Sequence, residues 1–227
     1  MAEFYEKNPL VAADAKWEEI YRFEPGDSAM IEGMNFTKDG VLWFIDIGMG
    51  RIMKLDLETR ELEKLIDHGM MNEQLPMMPN GARIIDDDTL LIADRNSGLC
   101  TFTISPDGNF LYVAEFNTNS IINVPTWQYV QGKVLDTPYV VARLVGGHGP
   151  DGVITDAAGN IYCAHLHAKE IAIVDHNGWP VQNVRLPEGA NTDPSNLAIY
   201  DGYLYCCEFA DGVIWRIPVK AEKNPLE

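Results

Sequence analysis

The chain has 227 residues, of which 46% are hydrophobic, and its formal net charge is −17 from 34 acidic and 17 basic side chains. This length and composition favour one folded domain over residues 1–227 with a proper core. The acidic balance argues against nucleic acids and anionic membranes as partners. No apolar run approaches the roughly 18–20 residues that a membrane-spanning helix needs.

The cysteines and the N-terminus favour a cytoplasmic location. The four cysteines, Cys100, Cys163, Cys206 and Cys207, have neither CxxC nor metal-type spacing. Buried free thiols are therefore the expected reading, which suits a reducing compartment. The first residues lack the basic and apolar stretches of a signal peptide.

One pattern recurs along the chain. A small polar turn, often Asp-Gly, precedes an apolar strand that ends in a charged or polar residue, and a second loop and strand follow. The N-terminal segment, residues 1–28, contains a strand-like stretch at 17–22 that could pair with the last copy and close a ring. Five copies follow, at residues 32–56, 80–102, 105–124, 151–175 and 195–219. Residues 57–68 could form a helix or an outer strand.

These copies predict an all-β protein, a β-propeller, because each copy supplies three or four short antiparallel strands. The turn positions of successive copies are 40, 88, 108, 159 and 202. The interval from 88 to 108 is much shorter than the others. About one blade is therefore predicted to be missing between residues 99 and 105.

The register of the copies aligns one set of residues at the start of each innermost strand. They are Glu32, Asn80, Cys100, Asp151 and Ser195. In a propeller this position lies at one mouth of the central channel, so two carboxylates and an amide would converge there. A divalent cation offsets the repulsion and desolvation of such carboxylates. Oxygen donors suit Ca²⁺, Mg²⁺ or Mn²⁺, with Zn²⁺ also possible. Alternatively, Glu32 and Asp151 only cap the turns before the glycines that follow them.

A second set of residues ends the second strand of each copy: Asp46, Asp94, Glu115, His165 and Glu208. An antiparallel hairpin returns these residues to the same end of the channel. His165 could then serve in proton transfer or substrate contact. The alternative is that charged residues simply stop strands at solvent.

Four stretches resemble the regucalcin, gluconolactonase and luciferin-regenerating-enzyme-like family, also called the senescence marker protein family. They are Ile31–Met34, Pro79–Gly81, Ser105–Glu115 and Gly149–Val153. The resemblance covers nearly the whole chain. It implies a six-bladed β-propeller with one divalent metal at the channel mouth and hydrolysis of sugar lactones or related esters.

The resemblance also implies roles for individual residues. Glu32 and Asp151 match two of the family's metal ligands, and Asp151 is the expected catalytic group. The family's third ligand, an asparagine, would stand where Cys100 and Thr101 occur here.

Asn80, His165 and Asn196 are the predicted substrate contacts, and Ca²⁺ is the favoured cation. Metal-dependent lactone hydrolysis is therefore the leading expectation. A non-catalytic propeller that binds a metal, a small ligand or a protein partner is the alternative, and a purely structural scaffold is a third possibility. The sequence does not indicate an oligomeric state.

Overall fold

Short antiparallel strands dominate the protein. A computed structural model describes residues 9–24, 27, 30–67, 79–86, 89–94, 101–126, 138–191 and 193–226. The strands are β1 Glu18–Arg22, β2 Ile31–Phe36, β3 Leu42–Asp46, β4 Arg51–Leu55, β5 Leu62–Asp67, β6 Pro79–Asp86, β7 Thr89–Asp94, β8 Phe102–Ile104, β9 Phe110–Glu115, β10 Ser120–Pro125, β11 Tyr139–Arg143, β12 Gly149–Thr155, β13 Ile161–Leu166, β14 Glu170–Val174, β15 Pro180–Arg185, β16 Pro194–Tyr200, β17 Tyr203–Glu208 and β18 Val213–Pro218. A single-turn 3₁₀ helix spans Phe116–Thr118. Within the described ranges no helix is long and apolar enough to cross a membrane.

The strands form sheets arranged as the blades of a β-propeller. Strands β2–β5, β8–β11 and β12–β15 each make a four-stranded sheet in chain order, and β6 and β7 pair with each other. The last sheet has the order β16-β17-β18-β1. The first strand of each blade, β2, β6, β8, β12 or β16, contributes residues to a central cavity of about 80 Å³. The all-β propeller prediction is therefore confirmed.

The ring closes through the two ends of the chain. Strand β1 pairs antiparallel with β18, and Glu19 lies opposite Trp215. The prediction for residues 17–22 is thus confirmed, and residues 57–68 contribute the outer strand β5 rather than a helix. At the end of the channel opposite the strand starts, the buried Asn224 bonds to the Ile104 carbonyl and the Thr155 hydroxyl, both at 2.7 Å.

The core lies between neighbouring sheets. Alternate residues of each strand face one of the two adjacent blades, because side chains of a strand point to opposite faces. Ile171 and Ile173 of β14 share one fully buried cluster with Leu197 of β16. A matching cluster joins the sheet of β2 to that of β17. Apolar burial between blades therefore stabilises the ring.

The spacing anomaly in the sequence corresponds to a reduced part of the ring. The described residues form four four-stranded sheets and one two-stranded sheet. Strand β8 has only three residues, and its Phe102 is 41% exposed although it belongs to an innermost strand. This arrangement is consistent with a propeller that lacks about one blade.

Candidate metal centre

The innermost strands share a local irregularity near the channel mouth. In four of the five innermost strands, the pairing with the second strand of the blade shifts register. Each shift falls at or beside the residue that the sequence repeats align at the start of that strand. The shifts fall between Glu32 and Asn35, between Pro79 and Gly81, between Pro150 and Val153, and between Pro194 and Asn196. A bulge of this kind re-aims the side chains beside it. The irregularities therefore turn residues from separate blades toward one place.

Two carboxyl groups meet there. The Glu32 side chain is 1% exposed, and its carboxyl lies within hydrogen-bonding reach of the Asp151 carboxyl. Burial, followed by the charge of Asp151, raises the pKa of Glu32 well above its usual value. The structure thus brings together the two acidic residues that the sequence register selected. Their roles as metal ligands stay a prediction.

An amide from a third blade completes this group. Asn196 is 5% exposed, and its Nδ2 donates to Glu32 Oε2 at 3.1 Å. Its Oδ1 accepts hydrogen bonds from the backbone N–H of Met34 at 3.2 Å and of Leu197 at 2.9 Å. Asn196 therefore ties Glu32 to the last blade.

The sequence register was wrong by one residue in that blade. It placed Ser195 in the aligned set, but the bulge gives this position to Asn196. The hydroxyl of Ser195 instead donates to the Ile31 carbonyl at 2.8 Å. The Ser195 hydroxyl thus links its own blade to the backbone of the neighbouring blade.

Glycines allow the innermost strands to approach closely at the carboxyl pair. A Cβ on Gly152 would lie 2.6 Å from the Ser195 carbonyl oxygen and 2.7 Å from Asn196 Cα. A Cβ on Gly33 would lie 2.9 Å from the backbone nitrogen of Ala82. Gly33 directly follows Glu32, and Gly152 directly follows Asp151. Each acidic residue is therefore next to a point where two innermost strands approach closely.

His165 lies opposite Pro150, the residue before Asp151, and is held by groups outside the carboxyl pair. Its buried ring is hydrogen-bonded to the Gly146 carbonyl oxygen through Nε2 at 3.0 Å. Its Nδ1 lies 3.8 Å from Glu170 Oε1 on β14, away from the innermost strand. Burial lowers the pKa of His165. A substrate contact by His165 therefore stays a prediction.

The predicted substrate contact Asn80 lies at the start of β6. Its side chain falls outside what the structure describes.

Other members of the second aligned set are also buried. Asp46 and Glu208 have no exposed surface, and Asp46 Oδ2 lies 3.6 Å from Arg51 Nη1. The alternative that these residues end strands at solvent is therefore wrong for Asp46, His165 and Glu208. Asp46 caps the turn after its strand, because its Oδ1 accepts a hydrogen bond from the Met49 N–H at 3.3 Å.

The donors at the carboxyl pair fit a hard divalent cation. Two carboxylates in contact in a buried place destabilise each other when both are ionised, and a bound cation offsets both repulsion and desolvation. Among the residues that the structure describes, no group of three or more His, Cys, Asp or Glu side chains is arranged to hold a metal. The acidic oxygens at this place are those of Glu32 and Asp151, and the amide of Asn196 lies beside them.

Soft ligands are a poor fit at this place. The thiols of Cys163, Cys206 and Cys207 are free and buried, and burial raises the pKa of each. A neutral thiol is a weak metal ligand. The fourth cysteine, Cys100, lies outside the described residues.

Comparisons with known proteins agree with this architecture. The family model described as SMP-30/gluconolactonase/LRE-like region matches residues 86–202. A calcium-binding regucalcin from Agrobacterium tumefaciens is similar at 15% identity and a TM-score of 0.68, over 86% of this chain and 92% of its own. A gluconolactonase from Xanthomonas campestris is similar at 15% identity and a TM-score of 0.65, over 92% and 91%. A luciferin-regenerating enzyme gives 12% identity and a TM-score of 0.64, over 92% and 97%. No curated protein matches the sequence.

Proposed function

Because the chain belongs to the SMP-30/gluconolactonase/LRE-like family, we propose that it is a metal-dependent hydrolase of a small lactone. The observation that carries the proposal is the contact of the buried Glu32 carboxyl group with the partly exposed carboxyl group of Asp151, which comes from a different blade. In this proposal both acids bind one divalent cation, most favourably Ca²⁺. The regucalcin and the gluconolactonase of similar fold support the choice of cation and of reaction class.

The residues around the pair have separate tasks in this reaction. Glu32 and Asp151 would hold the divalent cation, which would supply Lewis-acid polarisation of the lactone carbonyl and stabilisation of the developing oxyanion. Asp151 accepts a proton from the attacking water, whose oxygen bonds to the carbonyl carbon. The ring carbon–oxygen bond then breaks, and the ring oxygen leaves as a hydroxyl after taking up a proton. Asn196 holds Glu32 in place, and Asn80, His165 and Asn196 are the proposed substrate contacts.

The test is hydrolysis of a panel of sugar and aliphatic lactones by protein treated with EDTA and then supplied with Ca²⁺, Mn²⁺ or Zn²⁺. We expect turnover only after a cation is restored. The Glu32→Gln variant should lose turnover and bind the cation more weakly, because an amide oxygen carries no charge. Glu188→Gln, at an exposed loop position, is the matched control. Full activity of the metal-stripped protein would refute the proposal.

A binding protein without catalysis is the second candidate. The reduced β8 region favours it, because fewer strands shape that side of the channel. A cation would then raise the melting temperature, as any ligand specific for the folded state must, while no lactone in the panel would be hydrolysed above background. A purely structural scaffold would show neither effect.

The remaining proposals concern the whole chain. We propose that residues 1–227 form one domain, which the pairing of β1 with β18 supports. The free buried thiols Cys163, Cys206 and Cys207 support a cytoplasmic location. A small molecule, rather than a nucleic acid or a membrane, is the proposed partner.

A further inference from the structure

Thr101 lies at the level of the carboxyl pair, on the blade between β6 and β12. The Ala114 N–H donates to the Thr101 carbonyl at 3.4 Å, and Ala114 is the penultimate residue of β9. Glu32 and Asn196 likewise lie opposite the penultimate residue of the second strand in their own blades. The register therefore places Thr101 at the same height along the channel as Glu32 and Asn196.

Thr101 directly precedes β8, and its side chain continues the face of that strand that is turned toward β12. Thr103, two residues along, presents its hydroxyl 3.4 Å from the hydroxyl of Thr155 on β12. Side chains two positions apart along a strand share a face. Thr101 is therefore on the same side as Thr103 but nearer the mouth, where β12 carries Asp151.

The hydroxyl of Thr101 is buried without a hydrogen-bond partner among the residues that the structure describes. Thr101 also lines the central cavity. A buried hydroxyl without a partner destabilises the fold, so such a group usually serves a ligand or a bound water. The oxygen is neutral, which suits a site where two carboxylates already balance the charge of a divalent cation.

We propose that the Thr101 hydroxyl is a neutral oxygen ligand of the cation held by Glu32 and Asp151. The inference rests on the proposed function, because it requires that the carboxyl pair binds a cation. Calcium takes six to eight oxygen ligands and accepts neutral oxygens among them. The ligands of the cation would then come from three blades, and Thr101 would supply an oxygen from the blade of β8.

The test is calorimetric titration of EDTA-treated protein with CaCl₂ alone, for the wild type, Thr101→Val and Thr101→Ser. Valine keeps nearly the same shape and removes the oxygen, whereas serine keeps the oxygen. We expect Thr101→Val to weaken Ca²⁺ binding roughly 10-fold or more, the scale of an altered metal-site contact. Thr101→Ser should stay within roughly 3-fold of the wild type, well under the tenfold that 1.4 kcal/mol represents.

The melting temperature of the metal-free variants provides a second readout. A hydroxyl with no partner in the protein stabilises nothing, so Thr101→Val should melt at the wild-type temperature or above it. A lower metal-free melting temperature would mean that the hydroxyl is bonded within the protein, and this would overturn the proposal.

Two calorimetric outcomes separate this proposal from the proposed function. Wild-type affinity in Thr101→Val, together with loss of binding in Glu32→Gln, would refute the role of Thr101 alone. Absence of binding of Ca²⁺, Mn²⁺ and Zn²⁺ to the wild type in parallel titrations would refute both.

Discussion

Replacing Gly152 with alanine tests whether close packing of two innermost strands positions the carboxyl pair. The added Cβ would lie 2.6 Å from the Ser195 carbonyl oxygen, 2.7 Å from Asn196 Cα and 3.0 Å from Asn196 Nδ2. Two of these neighbours are backbone atoms, so the strand bearing Asn196 must move. Overpacking of this kind typically destabilises by about 1–3 kcal/mol. For a chain of this size a loss of about 2 kcal/mol lowers the melting temperature by roughly 4–8 °C.

The displacement should also weaken the site, because Asn196 holds Glu32 through its Nδ2. Calorimetry with Ca²⁺ and thermal unfolding in EDTA measure the two effects separately. Gly189→Ala is the matched control, since a Cβ there meets nothing within 4 Å. If Gly152→Ala melts and binds Ca²⁺ as Gly189→Ala does, the claim that this close approach positions Asn196 fails.

Two further predictions concern residues outside the carboxyl pair. Burial lowers the pKa of His165 from its usual value of 6.5. The stability that the neutral ring contributes is therefore complete above pH 6.5 and is lost as the pH falls toward the lowered pKa. The free energy of unfolding then falls by at most about 1.4 kcal/mol per pH unit. The difference in unfolding free energy between the wild type and His165→Gln should therefore shrink from pH 8 to pH 5 in urea titrations, and a constant difference would contradict this assignment. Asn224→Ala should lower the free energy of unfolding by about 1–3 kcal/mol, because it removes two hydrogen bonds of 2.7 Å made by a buried side chain. Asn177→Ala at the exposed surface should change it by less than about 0.5 kcal/mol, and equal effects of the two substitutions would show that the buried bonds contribute nothing.

Much of the architecture follows from the repeat itself. Each copy combines a turn with apolar stretches of strand length, and these local signals predict the inner strands of the blades and the ring-closing β1. Strands β11 and β15 lie outside the five copies, and the sequence left the segment that forms β5 open between a helix and a strand. The same register selects Glu32 and Asp151, because both stand a fixed distance before a turn glycine. The structure then brings their carboxyl groups into contact.

The remaining site features depend on bulges, which sequence spacing does not reveal. A bulge adds one residue to a strand and shifts every later residue to the opposite face. The last copy is one residue shorter before its turn, so counting selected Ser195 where the structure has Asn196. The placement of His165 likewise depends on the loop of Gly146 and Gly147, because a Cβ on Gly147 would lie 2.5 Å from the ring Nε2. The repeat pattern of the sequence does not predict the contact between Gly147 and the His165 ring.

The closure of the ring by its first and last strands has a consequence for folding. The hydrogen bond between Glu32 and Asn196 joins residues 164 positions apart, and Asn196 lies in the sheet that β1 completes. Contacts between such distant segments form slowly, because the intervening chain must first be ordered. A partly synthesised chain therefore holds Glu32 without the residues that meet it. Binding of a ligand at the carboxyl pair would then report that the blades of β2, β12 and β16 have assembled.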